Sequence, residues 1–315
     1  MSKLALVFPG QGSQSVGMMA PFASLPAVRA TFDEASGVLG QDLWQLAEDG
    51  PAEELARTVN TQPLMLVAGV ALYRAWRAAG GAAPDFVAGH SLGEYTALVA
   101  AESLDFRDAV ALIRFRAQTM QEAVPEGTGG IAAILGLDDA TIGAVCAEAA
   151  QGEVLEAANL NAPGQVVIAG HRAAVERGME AAKARGAKRV IALAMSAPSH
   201  CSLMRPTVEP LQARLAGVSI RAPRVAFINN ADVKVQRDAQ GVRDGLLRQL
   251  CSPVRWVETV RLMAAQGVTQ IVECGPGGVL TGLNKRCGQV EAVGLRDAAQ
   301  LQQLAEASAL AGAHA

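Results

Sequence analysis

Short apolar runs closed by glycine or proline alternate with helical spacing along most of the chain. Leu4-Ala5-Leu6-Val7-Phe8 has no polar position and stops at Pro9-Gly10, so it reads as a strand buried on both faces. Residues 85–88, 225–228 and 270–273 are further strands on this pattern. Between them, apolar positions three and four apart predict amphipathic helices over 61–79 and 105–122, with shorter ones over 92–101, up to 250, 253–265 and 279–285. Pro63 is tolerable in the first turn of the 61–79 helix, where its missing N–H is not needed. Residues 15–60 alternate short helical patterns with turns, and 297–315 reads as a helix fraying at its end. Strands alternating with helices predict an α/β fold with a mainly parallel sheet.

The pattern changes over residues 130–193. It reads strand 131–135, helix 138–150, strand 154–158, a turn through Asn159-Leu160-Asn161-Ala162-Pro163-Gly164, strand 165–169, helix 172–185 and strand 189–193. The order βαββαβ predicts a small ferredoxin-like unit. Gly127-Thr128-Gly129-Gly130 and Ser196-Ala197-Pro198 read as its hinges. The expected organisation is a large α/β-hydrolase-like domain from 1–126 and 197–315, with 127–196 inserted as one wall of a cleft.

That cleft would lie above Gly89-His90-Ser91-Leu92-Gly93-Glu94-Tyr95, which joins the strand at 85–88 to the helix at 92–101. Strand, Gly-x-Ser-x-Gly and helix is the nucleophile-elbow arrangement. Side chains two before and two after the serine would collide with backbone in so tight a turn, so both positions are glycine. The corner would present the Ser91 hydroxyl beside the free N–H groups of a helix start, where an oxyanion can be held. A second reading is compatible with the first: Ser91-x-x-Glu94 is also a capping box.

On the helix at 105–122, Phe106, Ala109, Val110, Ile113, Ala117 and Met120 form one apolar stripe, while Arg107, Arg114, Gln118 and Gln121 face solvent. Arg116 falls inside the apolar arc, between Leu112 and the Ala109/Met120 edge. An unpaired guanidinium there is costly. It could snorkel, join an internal salt bridge, or wait for a ligand carboxylate.

The first glycine loop, Pro9-Gly10-Gln11-Gly12-Ser13-Gln14, does not fit a dinucleotide site: the next glycine is Gly17, and no second strand ends in an acid at the required distance. Exposed backbone N–H groups at a strand's carboxyl end, or a plain structural turn, are the readings left. There are four histidines. His314 is in the alanine-rich tail, His171 begins a helix, and the elbow should turn His90 away. His200 is left as the candidate base, and the chain order serine then histidine agrees with an elbow fold.

Composition narrows the class. Half of the 315 residues are hydrophobic and the net charge is −3, so there is no global basic field for nucleic acid. Five scattered cysteines without metal-ligand spacing fit free thiols in a reducing cytoplasm and no metal. The apolar run before Pro9 is too short for a signal peptide, and nothing approaches the roughly 20 apolar residues of a membrane span.

Taken in order, Phe8-Pro9-Gly10-Gln11-Gly12-Ser13-Gln14, the Gly89–Tyr95 heptapeptide, Arg116 before Met120-Gln121-Glu122-Ala123-Val124-Pro125, Ser196-Ala197-Pro198-Ser199-His200 and Glu273-Cys274-Gly275-Pro276-Gly277 resemble the malonyl-CoA–acyl carrier protein transacylases of bacterial fatty-acid synthesis. The resemblance covers nearly the whole chain. It implies malonyl transfer from coenzyme A to a carrier-protein thiol, through Ser91 as nucleophile and His200 as base. It further implies that a backbone carbonyl at Gln249 orients the histidine, that the N–H groups of Gln11 and Leu92 form the oxyanion hole, and that Arg116 holds the malonyl carboxylate. Gln62, Asn159 and Ser199 join Gln11 and Arg116 as substrate-binding positions. No cofactor is implied beyond the coenzyme A thioester substrate; the partners are malonyl-CoA and acyl carrier protein, and the chain is expected to be a monomer.

Two positions depart from the family pattern. Ala117 stands where glycine commonly follows the arginine, and Ser199 stands where phenylalanine is frequent in malonyl-selective relatives, which weakens the expectation of strict rejection of α-methyl-branched groups. Lys183, Arg185, Lys188, Arg189, Lys285 and Arg286 are candidates for docking an acidic carrier. The rival functions are a serine esterase or thioesterase, an acyltransferase loading a polyketide synthase in trans, and a non-catalytic carrier binder.

Overall fold

The computed structural model describes residues 3–125, 127–193 and 197–313. Ser196 and His314, both used in reading the sequence, lie outside the described residues. The strands are β1 (Lys3–Phe8), β2 (Phe86–Gly89), β3 (Gly129–Leu135), β4 (Leu155–Ala162), β5 (Gln165–His171), β6 (Arg189–Ala192), β7 (Ala226–Ile228), β8 (Val235–Gln236), β9 (Val268–Glu273) and β10 (Glu291–Gly294).

They form two sheets. The first has six strands in the order β10-β9-β1-β2-β7-β8, parallel except where β8 runs against β7. As the unbroken apolar run requires, β1 is central and Ala5 through Phe8 are fully buried. Phe8 pairs with Gly89 at the ends of β1 and β2, so the first glycine loop and the elbow leave the sheet at the same carboxyl edge. Open parallel sheets place their sites at that edge. The second sheet has four antiparallel strands in the order β4-β5-β3-β6, all from within residues 129–192, packed with helices Asp139–Ala150 and Arg172–Ala184.

Several boundaries differ from expectation. The helix placed at 61–79 is Thr58–Ala78, which puts Pro63 in its second turn. It is buried on nearly all sides and not amphipathic, being covered by the helices Pro26–Leu39, Gly93–Ala100 and Phe106–Glu122. The turn expected through 159–164 shrinks to Pro163-Gly164 because β4 continues to Ala162. Its pairing with β5 continues irregularly to Ala162, and a distant partner joins it: the Leu160 N–H donates to the Val254 carbonyl and the Val254 N–H to that of Ala158, both at 2.9 Å. The same pairing holds Val254 in a β-bridge, and the helix expected from Pro253 starts at Trp256. The short strands β8 and β10 carry no apolar run long enough to be read from the pattern.

The elbow's glycines are enforced by contact. A Cβ on Gly89 would sit 1.8 Å from the Gly93 carbonyl carbon, and one on Gly93 would sit 2.2 Å from the Phe8 oxygen. Both clashes are with backbone and cannot be relieved by a rotamer change. Gly89→Ala is therefore expected to cost at least about 4 kcal/mol, the exceptional end of single substitutions. Gly37→Ala, on the exposed face of helix Pro26–Leu39 with nothing within 4 Å, is the control and should stabilise by about 0.5–1 kcal/mol. Urea midpoints measure both, and a Gly89→Ala midpoint near wild type would contradict the argument.

Candidate active site

At the corner after β2, Ser91 has φ 53°, in the left-handed region that non-glycine residues avoid. The turn that imposes this angle lifts its hydroxyl from the sheet edge. His200 is likewise held at φ 63° and is 2% exposed. Its loop is anchored immediately downstream, where Ser202 donates to both Glu156 carboxylate oxygens, by its N–H at 2.9 Å and its hydroxyl at 2.6 Å. Strain of this kind costs about 1–3 kcal/mol per residue and persists only where the surroundings over-determine it.

The two side chains meet. His200 Nε2 lies 2.6 Å from Ser91 Oγ, and His200 Nδ1 lies 2.9 Å from the Gln249 carbonyl oxygen. A carbonyl only accepts, so Nδ1 carries the proton and Nε2 is left to accept from the serine. Burial pushes the imidazole pKa down, to about 3, with the Arg116 charge adding to the shift and the Gln249 carbonyl opposing it.

Arg116 is 1% exposed. Its Nη1 donates to Gln62 Oε1 at 2.6 Å, and its Nη2 donates to Gln249 Oε1 at 2.9 Å and reaches Ser91 Oγ at 3.4 Å. The guanidinium carbon lies 5.6 Å from the Tyr95 ring centre. Its Nε has no partner among the described residues. Every hydrogen-bond partner is thus a neutral oxygen, so neither snorkelling nor a direct internal salt bridge accounts for this side chain.

Two backbone donors border the same space. The Ser91 N–H is taken by Asn230 Oδ1 at 2.8 Å and the Gly93 N–H by the His90 carbonyl at 2.9 Å, while that of Leu92 has no acceptor among the described residues. Gln11 also keeps its N–H free among the described residues, and its side chain reaches Thr58 Oγ1 at 3.4 Å. The cavity here is about 140 Å³ and is lined by Gln11, Gln62, Ser91, Leu92, Arg116, Asn159, Ser199 and His200. Gln249 supports it from behind. Every site position named from the sequence therefore lies in or against one cavity.

Other residues of the site were not legible beforehand. The capping-box reading is overturned: helix Gly93–Ala100 has no side-chain cap, the Ser91 hydroxyl is committed to His200 and Arg116, and Glu94 is fully buried. The Glu94 carboxylate accepts from the Asn230 N–H and from Gln249 Nε2. Asn230 gave no signal in sequence, because its partners are the backbone of Gly89 and Ser91. His90 turns from the serine and pairs through Nε2 with Asn161 Oδ1 at 2.8 Å, though its ring still borders the cavity. Among the described residues no cluster of histidine, cysteine or carboxylates could hold a metal, and no helix is long and apolar enough to cross a membrane.

A serine and histidine in hydrogen-bond contact at the carboxyl edge of a mostly parallel sheet define the class of serine acyltransferases and hydrolases. Comparison with known proteins places the chain within it. The acyl transferase domain family matches residues 5–304. A malonyl CoA-acyl carrier protein transacylase of Escherichia coli O157:H7 is 58% identical over 91% of this chain and 93% of its own length. The crystal structure of an acyl-carrier-protein S-malonyltransferase from Burkholderia pseudomallei superposes with a TM-score of 0.94 at 57% identity, covering 96% of this chain and 99% of that one. A malonyl-transacylase in complex with a type II PKS acyl-carrier protein gives 0.95 at 51% identity, covering 97% and 100%. The chain belongs to the acyl transferase family and, within it, to the malonyl CoA-acyl carrier protein transacylases.

Proposed function

We propose that this chain moves the malonyl group of malonyl-CoA to the phosphopantetheine thiol of an acyl carrier protein, through an ester on Ser91, in the cytoplasm and for fatty-acid synthesis. His200 Nε2 takes the serine proton as Oγ bonds to the thioester carbonyl carbon. The carbonyl oxygen becomes an oxyanion against the N–H groups of Gln11 and Leu92, each such donor contributing about 3 kcal/mol. As the carbon–sulfur bond breaks, the imidazolium returns the proton to the leaving thiolate. The carrier thiol then repeats both steps in reverse, which makes the kinetics ping-pong. A thioester is already activated, so the scheme needs no cofactor.

The observation that most supports malonyl as the acyl group is Arg116, buried with only neutral hydrogen-bond partners among the described residues and 3.4 Å from the serine oxygen. A cavity of about 140 Å³ suits a short acyl chain, being smaller than the ~300–1,000 Å³ of drug-sized pockets. Gln62 would hold the guanidinium, and Asn159 and Ser199 would border the acyl group. In our reading residues 127–196 form a ferredoxin-like domain inserted into an α/β-hydrolase-like domain of 1–126 and 197–315, with the order β4-β5-β3-β6 as support.

Intact-mass analysis after mixing with malonyl-CoA tests the proposal. One malonyl adduct should appear on the peptide carrying Ser91 and should be discharged by holo acyl carrier protein. No adduct, or an adduct elsewhere, would overturn it. A second acceptor has specific support, because a structure 51% identical is seen with a type II PKS acyl-carrier protein. Discharge rates with carriers of both kinds separate the two. The exposed Lys183, Arg185, Lys188, Arg189, Lys285 and Arg286 are the carrier-docking candidates.

A further inference from the structure

Behind the cavity lies a buried carboxyl group that the acyl-transfer scheme does not use. Glu94 is fully buried in the first turn of helix Gly93–Ala100. One carboxylate oxygen accepts from the Asn230 N–H and the other from Gln249 Nε2 at 2.5 Å. Burial raises its pKa to about 8, opposed in turn by the Asn230 N–H, the Arg116 charge and Gln249, with Asp232 acting in the same sense as burial.

The consequence lies in the polarity of Gln249. A primary amide donates at one end and accepts at the other. Gln249 Nε2 donates to two acceptors, a Glu94 carboxyl oxygen and the Ser91 carbonyl at 2.9 Å. Its Oε1 is thereby turned to Arg116 Nη2 at 2.9 Å. Turned the other way, the amide would set an N–H₂ against the guanidinium and an oxygen against two oxygens. Buried Glu94 and buried Arg116 are therefore joined through one amide.

We propose that Glu94 is a positioning residue: acting through Gln249, it fixes the direction in which Arg116 presents its free edge to an acyl carboxylate. The role rests on the malonyl-loading reading of the site. Its signature is selective. Loading of a carboxylate-bearing acyl group depends on where Arg116 points, whereas loading of acetyl depends only on Ser91, His200 and the oxyanion donors.

Glu94→Gln keeps size and burial but sets a donor where only acceptors fit. Gln249→Met removes the amide while keeping the backbone carbonyl that holds His200. In single-turnover loading from malonyl-CoA and acetyl-CoA, each variant should lower the malonyl-to-acetyl ratio of kcat/KM by about 10- to 100-fold, the range for a buried hydrogen bond to a charge. The double variant should fall no further than the worse single one, since both cut the same link. A ratio within about twofold of wild type in Gln249→Met, or an equal loss of both substrates in both variants, overturns the proposal. Gln249→Met decides alone if Glu94→Gln does not fold. Wild type separates the two levels: if it takes no malonyl group, the site reading fails and this role with it. Normal wild-type loading with an unmoved ratio removes only the role of Glu94.

Discussion

Ser91→Ala is expected to abolish the malonyl adduct, and His200→Ala to slow its formation by about 10²–10⁴-fold, the usual contribution of a positioned general base. Without the serine oxygen no ester can form. Without the imidazole the oxygen remains a nucleophile and the oxyanion donors remain in place, so a residual rate persists. The pH dependence is equally specific. Burial and the Arg116 charge hold His200 down at about 3, against an ordinary value of 6.5. The imidazole is then already the free base at mildly acid pH, and the acid limb attributable to it should lie well below 6.5. The linkage runs the same way: a depressed folded-state pKa contributes stability that is present above 6.5 and lost as pH falls toward about 3. Stopped-flow loading across the acid range measures the limb. An inflection near 6.5 that disappears in His200→Ala would contradict the depression of the imidazole pKa by burial.

How much of the site could be read in advance follows from how local its causes are. The elbow was legible because Gly89 answers to backbone only four residues away, although Gly93 answers to Phe8 on the neighbouring strand. Arg116 was legible because helical period alone puts it in an apolar arc. His200 lies on a loop with no periodicity and emerged only by elimination, and Gln249 came only from the family resemblance, since a backbone carbonyl leaves no mark on residue type. Glu94 was misread for the opposite reason. Its local spacing matches a capping box, while its real partners, Asn230 and Gln249, lie 136 and 155 residues away in the chain. The same holds for the fold. Strand alternation gave the α/β class with its mostly parallel sheet, but the backbone bridge between β4 and Val254 could not be inferred from the residues that form it.

Arg116→Ala should do more than slow the reaction; it should change which acyl group is preferred. In the wild-type cavity an acetyl group would leave the guanidinium desolvated with no anion, held only by Gln62, Gln249 and Ser91, and with Nε still unpartnered among the described residues. A malonyl carboxylate relieves that cost with charge-assisted hydrogen bonds. A site built around such a bond rejects the analogue lacking it far more strongly than an apolar pocket rejects a missing methylene. Removing the guanidinium should therefore lower malonyl kcat/KM by about 10²–10⁴-fold while the acetyl value holds or rises. Arg116→Lys should not rescue fully, because one ammonium cannot span Gln62 and Gln249 as the planar fork does. Loading from the two coenzyme A thioesters, measured side by side by intact mass, reads the switch. A serine hydrolase of neutral esters would be indifferent to the substitution, so an equal effect on both substrates would detach Arg116 from acyl recognition and leave its burial without a purpose.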